Sequence, residues 1–87
     1  MYIILVYDFN EKRVAKALKI CRKYITWVQN SVFEGEISEA NYKKLIFELR
    51  KIIKKDEDSV IIYKYRTKNY FARENLGLTK NEDSAFL

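Results

Sequence analysis

The stretch MYIILVYDFN constrains the fold more than any other part of the chain. Tyr2 to Tyr7 are apolar or aromatic without interruption, and the run stops at a carboxylate, Asp8. In a strand, successive side chains point to opposite faces, so Ile3, Leu5 and Tyr7 point one way and Tyr2, Ile4 and Val6 the other. Half-buried strands alternate apolar with polar residues; this one reads as a strand that needs cover on both faces. With 87 residues in all, the chain is predicted to form one domain, and a domain of this size buries roughly 60–65% of its unfolded surface. An added interface would therefore help it.

The remaining elements follow from spacing and caps. Asn10 is an N-cap for a helix over 11–24, where Val14, Leu18, Cys21 and Ile25 recur at helical intervals. TWVQNSVFEGEI at 26–37 is β-like, with a turn near Asn30-Ser31. Ser38 caps a second helix with an apolar stripe of Tyr42, Leu45, Ile46, Leu49, Ile52 and Ile53, ending at the charged turn 55–58. SVIIYKY at 59–65 is a further strand, and part of TKNYFARENLG is expected to add a short one. The order is α+β: a ferredoxin-like βαββαβ domain over 1–75 with an extra C-terminal strand, followed by a flexible tail at 76–87. Both helices then lie on one sheet face, which leaves one of the two apolar sets of the first strand uncovered. An exposed apolar sheet face calls for a partner. The chain lacks the glycine-and-aromatic pattern of RNA-recognition modules, so the expectation is a dimer packed sheet to sheet.

Charge and composition narrow the function. Lys and Arg number seventeen against twelve Asp and Glu, for a net charge of +5. The basic residues are grouped: Lys12, Arg13, Lys16, Lys19, Arg22 and Lys23, then a second set between Lys43 and Lys55. Grouped cations on a small protein attract polyanions through counterion release, although lysine-rich helix faces also serve solubility alone. The chain has no histidine and a single cysteine, Cys21, which lies on the apolar stripe of the first helix. An internal disulfide, a histidine-based mechanism and a zinc site of the usual kind are thereby excluded. Ser31 has no base to activate it. The six-residue apolar run falls far short of the ~20 residues that a membrane span needs, and no basic region precedes it. The expected location is the cytoplasm, with no membrane partner.

YDF at 7–9, RVAKALK at 13–19, VQNSVFEGEI at 28–37 and DSVIIYKY at 58–65 occur in this order. Over about residues 1–66 the chain resembles the second universal CRISPR-associated family, whose members are small homodimeric partners of the spacer integrase. The resemblance implies a ferredoxin-like protomer, a sheet-to-sheet dimer, and a fifth strand, here about 68–74, paired with the partner's sheet edge. It further implies a protein of antiviral defence that binds duplex DNA and scaffolds the integrase during spacer acquisition. Family members are also described as metal-dependent endonucleases on single-stranded RNA or double-stranded DNA. In that account the aspartate closing the first strand, here Asp8, binds Mg²⁺ at the dimer axis.

Two readings of Asp8 stand side by side. Before a helix, a carboxylate complements the helix dipole or bonds local N–H groups. Across a two-fold axis, a pair of Asp8 carboxylates could hold one Mg²⁺, which takes one or two carboxylates with water and phosphate oxygens completing the shell. Asn10 is an N-cap, with a place in the metal shell as the lesser alternative, and Glu11 projects from the first helical turn. Arg13 matches a basic residue common in the family, placed to hold a phosphate or to act as one more solvated charge. Trp27 stands where the family often has arginine, suited to the dimer interface or a nucleic-acid sugar. Phe33 belongs to core or interface. Lys12, Arg13, Lys16 and Lys19 are the predicted nucleic-acid contacts, with Lys64 and Arg66 secondary. A scaffold that binds duplex DNA leads, the Mg²⁺-dependent endonuclease is the alternative, and an RNA-binding or toxin-like module is a third reading.

Overall fold

Six elements follow in chain order: β1 (Tyr2–Asp8), α1 (Glu11–Arg22), β2 (Thr26–Gln29), β3 (Val32–Glu36), α2 (Glu39–Ile52) and β4 (Ser59–Tyr65). The computed structural model describes residues 1–66 together with 74 and 76. The expected fifth strand at 68–74 and the tail at 76–87 therefore lie almost wholly outside the described residues. The sheet runs β2-β3-β1-β4, and β1 is antiparallel to both of its neighbours, β3 and β4. This is the split βαβ order of the ferredoxin-like fold, as the element order predicted.

Parity along β1 sets the layers. Ile3 and Leu5 are fully buried and Tyr7 nearly so, whereas Tyr2, Ile4 and Val6 are half-buried. The buried set meets Phe33 of β3, Ala17 and Cys21 of α1, and Leu45 and Leu49 of α2 in a single core. Tyr7 anchors it with an edge-on contact to Phe9, ring centroids 5.4 Å apart, and a tilted contact to Phe33 at 5.6 Å. Aromatic pairs at these separations add packing specificity beyond the area they bury.

Both predicted caps form. The Asn10 side chain accepts a hydrogen bond from the Lys12 amide at 2.9 Å, and Ser38 Oγ accepts one from the Asn41 amide at 3.1 Å. The hairpin turns where expected, with Asn30 in the left-handed region at φ 46°, which asparagine tolerates better than most residues. Two details differ from the sequence reading. Helix α1 stops at Arg22 rather than 24, because the Tyr24 and Ile25 amides both fold back onto the Cys21 carbonyl at 3.0 Å. Its innermost position is Ala17, fully buried, while Val14 is 37% exposed. A methyl group at the contact lets α1 lie close to the sheet, which a bulkier stripe would prevent.

Candidate functional site

Asp8 is the last residue of β1 and sits opposite Ser59 of β4. It is exposed and shares its sheet face with Tyr2, Ile4 and Val6. The register places Ile61 and Tyr63 of β4 opposite Val6 and Ile4 on that face, and each is 52% exposed. No element among the described residues covers this apolar surface. Glu34 of β3 borders it and accepts a hydrogen bond from the Tyr2 hydroxyl. The exposed carboxylate of Asp8 thus stands at the end of an uncovered apolar sheet face.

The backbone around Asp8 is held by a second carboxylate that the sequence reading passed over. The Asp58 side chain is fully buried, although it belongs to a turn that reads as solvated charge. Its Oδ1 accepts from the Asn10 amide at 2.8 Å and from Arg13 Nη2 at 3.0 Å. Its Oδ2 accepts from Arg13 Nε at 2.7 Å and from the Lys54 amide at 2.8 Å. The four donors, led by the Arg13 guanidinium, hold its carboxyl well below the usual carboxylate range, against the opposing effect of burial. Asp58 precedes Ser59, the cross-strand partner of Asp8, and bonds Asn10, two residues beyond Asp8. Both sides of the Asp8–Ser59 pair are therefore fixed.

Arg13 has the complementary role. Besides its two-pronged contact with Asp58, it donates to Glu57 Oε1 at 2.9 Å, and its side chain is 12% exposed. The sequence reading placed Arg13 among the phosphate contacts. In the structure its guanidinium ties the first turn of α1 to the turn between α2 and β4. Lys12, Lys16 and Lys19 are different: all three are exposed, their spacing puts them along one side of α1, and none forms an ion pair among the described residues. The next lysine, Lys23, is taken up by Glu48. Lys64 is remote from this stripe, since it lies across from Ile3 on the helix side of the sheet with its ammonium 4.7 Å from the Tyr42 ring centroid.

The other singled-out residues make contacts within their own chain. Trp27 packs against the core of its own chain, with its indole N–H donating to the Asn30 carbonyl at 2.8 Å and the Arg22 guanidinium 6.0 Å from its ring centroid. Phe33 is fully buried. Burial pushes the Cys21 thiol up to about 12, so it is no nucleophile at neutral pH.

The donor set for a metal is thin within one chain. The described residues contain no group of three or more acidic, histidine or cysteine side chains able to hold an ion. Asp58 cannot serve as the second carboxylate, because its two oxygens already accept four hydrogen bonds. One exposed carboxylate per protomer suits a hard, water-rich ion such as Mg²⁺ only when a second copy doubles it.

Comparison with known proteins identifies the lineage. The family model described as CRISPR associated protein Cas2 matches residues 1–73. The chain is 55% identical over 83 residues to the CRISPR-associated endoribonuclease Cas2 of Thermotoga maritima, covering 95% of each chain. It is 49% identical over 87 residues to the protein of the same name from Dictyoglomus turgidum, covering all of both. A solved structure, described as a crystal structure of Cas2, superposes with a TM-score of 0.84 at 46% identity, covering 92% of this chain and 90% of the other. The uncovered sheet face, the strand-end carboxylate and the ferredoxin-like order are thus found in a chain that belongs to the Cas2 family of CRISPR-associated proteins.

Proposed function

We propose that this protein is a metal-dependent endoribonuclease of a CRISPR system, working as a homodimer packed through its uncovered sheet faces. The observation that carries this reading is the position of Asp8: exposed, on the same sheet face as the apolar surface, and braced by the Asp58–Arg13 clamp. Stacking that face on a second copy across a two-fold axis buries Ile61 and Tyr63 and brings two Asp8 carboxylates toward the axis. They would hold one Mg²⁺ between them. When bound, the ion supplies Lewis-acid stabilisation of the charge that develops on a scissile phosphate. The chain's own contribution is to hold the two carboxylates in register and to gather the RNA backbone with Lys12, Lys16 and Lys19. The relatives named as endoribonucleases support the reading. The test is cleavage of single-stranded RNA with Mg²⁺ or with EDTA, for the wild type and Asp8→Asn. The variant should lose about 100-fold or more in rate while retaining dimer mass and RNA affinity. Equal cleavage by both proteins would sink it.

A second reading is favoured by the lysine stripe. Three exposed cations on one side of α1 suit sequence-independent contact with a duplex, the role of a scaffold for the spacer integrase in CRISPR adaptation. Phosphate contacts make log affinity fall with log salt, with a slope of about −0.9 per contact on duplex DNA. Replacing Lys12, Lys16 and Lys19 by alanine should flatten the slope by roughly that amount for each lysine engaged. A slope unchanged in the triple variant excludes the stripe as the DNA surface. Both readings place the protein in the cytoplasm, and no helix among the described residues is long and apolar enough to cross a membrane.

A further inference from the structure

On the layer opposite Asp8, α2 and β4 leave a groove that neither reading uses. Two adjoining hollows of about 270 and 450 Å³ share Tyr42, Ile46 and Arg50. The floor is aliphatic, made by Ile46, Leu49, Ile53, Val60 and Ile62. The rim is basic, with Lys43, Arg50 and Lys64, none of which has an ion-pair partner among the described residues. Phe47, at one end, is 60% exposed. An apolar floor under cations with no ion-pair partner among the described residues suits a ligand that is apolar and acidic at once.

We propose that this groove is the docking site for the chain's own segment 82–87, EDSAFL, which lies outside the described residues. Glu82 and Asp83 complement the basic rim, and Phe86 and Leu87, three residues further on, supply large apolar side chains for the floor. The reach is sufficient. Sixteen residue steps separate Arg66, at the end of β4, from Glu82; at ~3.3 Å each they span about 50 Å, against a longest molecular extent of 35 Å. Tethering raises the effective concentration to the millimolar range, so a few contacts hold such a segment without high intrinsic affinity.

A nucleic-acid strand is the competing occupant, and two features disfavour it. Aliphatic side chains offer no flat face for a base to stack on. The two rings at the groove are already covered by ammonium groups, Lys64 at 4.7 Å from the Tyr42 centroid and Lys51 at 4.4 Å from that of Phe47.

The experiment is disulfide trapping in the full-length chain. Cys21 is buried and does not compete with cysteines introduced by Phe47→Cys and Ser84→Cys. Under mild oxidation this pair should close on the order of tenfold faster than a control pair of Lys16→Cys and Ser84→Cys. Reversing Glu82 and Asp83 to lysine should abolish the difference. A cross-linked monomer or dimer reports which copy supplies the segment, and either one is docking. Equal closure of the two pairs overturns the proposal. As a second measurement, Phe47→Cys alone should be shielded from maleimide in the full chain and unshielded once Glu82 and Asp83 are reversed. Shielding that appears only when RNA or duplex DNA is added makes the groove a nucleic-acid surface and also overturns the proposal.

Discussion

Arg13 and Asp58 are where a single residue matters most. Removing one partner of a buried, fully bonded ion pair leaves the other charge without compensation, which destabilises far more than losing a surface pair. Asp58→Asn should lower Tm by more than about 10 °C in a domain of this size. Glu57→Gln, which removes the exposed partner of the same arginine, should change it by no more than a few degrees. Thermal melts of the two variants decide the matter, and similar shifts would contradict the structure. The pH dependence has a definite sign. Asp58 is held below its ordinary range in the folded state, so in acid the unfolded chain binds the proton more readily than the folded one. Its stabilisation is complete above about pH 5 and is lost as pH falls below the usual aspartate range of ~4. The gap in Tm between wild type and Asp58→Asn should therefore close progressively in acid. At this scale the sequence was only partly informative. Asp8 declared itself by ending an apolar run. Asp58 sat in the run Lys55-Asp56-Glu57-Asp58, where nothing local separates the buried acid from its exposed neighbours. What separates them is the arrival of Arg13 and the Asn10 amide from the far side of the chain.

The helices show how element-level patterning translates into packing. Helix α2 follows its predicted stripe: Leu45 and Leu49 are buried, and Tyr42, Ile52 and Ile53 pack beside them. Helix α1 does not follow its large residues; it turns on the small ones, Ala17 and Cys21. The periodicity of Val14, Leu18 and Cys21 marked the correct side of the helix but not its centre, because hydrophobicity ranks valine above alanine and close approach to a sheet ranks them the other way. Overpacking a filled core by a branched side chain destabilises by about 1–3 kcal/mol. Ala17→Leu should therefore lose stability in denaturant melts, while Val14→Ala, at a position 37% exposed, should change it much less. The reverse order would mean that α1 is rotated from its described position. The hairpin of β2 and β3 was legible for a different reason: Asn30 is one of the few residues that accepts the left-handed backbone its turn requires.

For the whole molecule, the proposed assembly rests on the open sheet face. Ile61 and Tyr63 project from it beside Ile4 and Val6, and on the proposed reading a second copy covers them. Ile61→Glu should give a monomer by light scattering, with RNA cleavage lost because the two Asp8 carboxylates part. A dimer that survives this substitution would place the interface elsewhere. The sequence by itself determined the strand and helix order and the division of β1 into two apolar sets on opposite faces; which set the helices cover came from the fold. The sequence could do so because alternation and helical period are local properties of the chain. Only the tertiary structure decided that Arg13 serves Asp58 rather than standing free with Lys12, Lys16 and Lys19, that Trp27 packs half-buried against its own core, and that α2 and β4 enclose a basic-rimmed groove. Those outcomes depend on which side chains meet across long loops, and hydrogen-bond geometry and packing settle that only when the chain is folded.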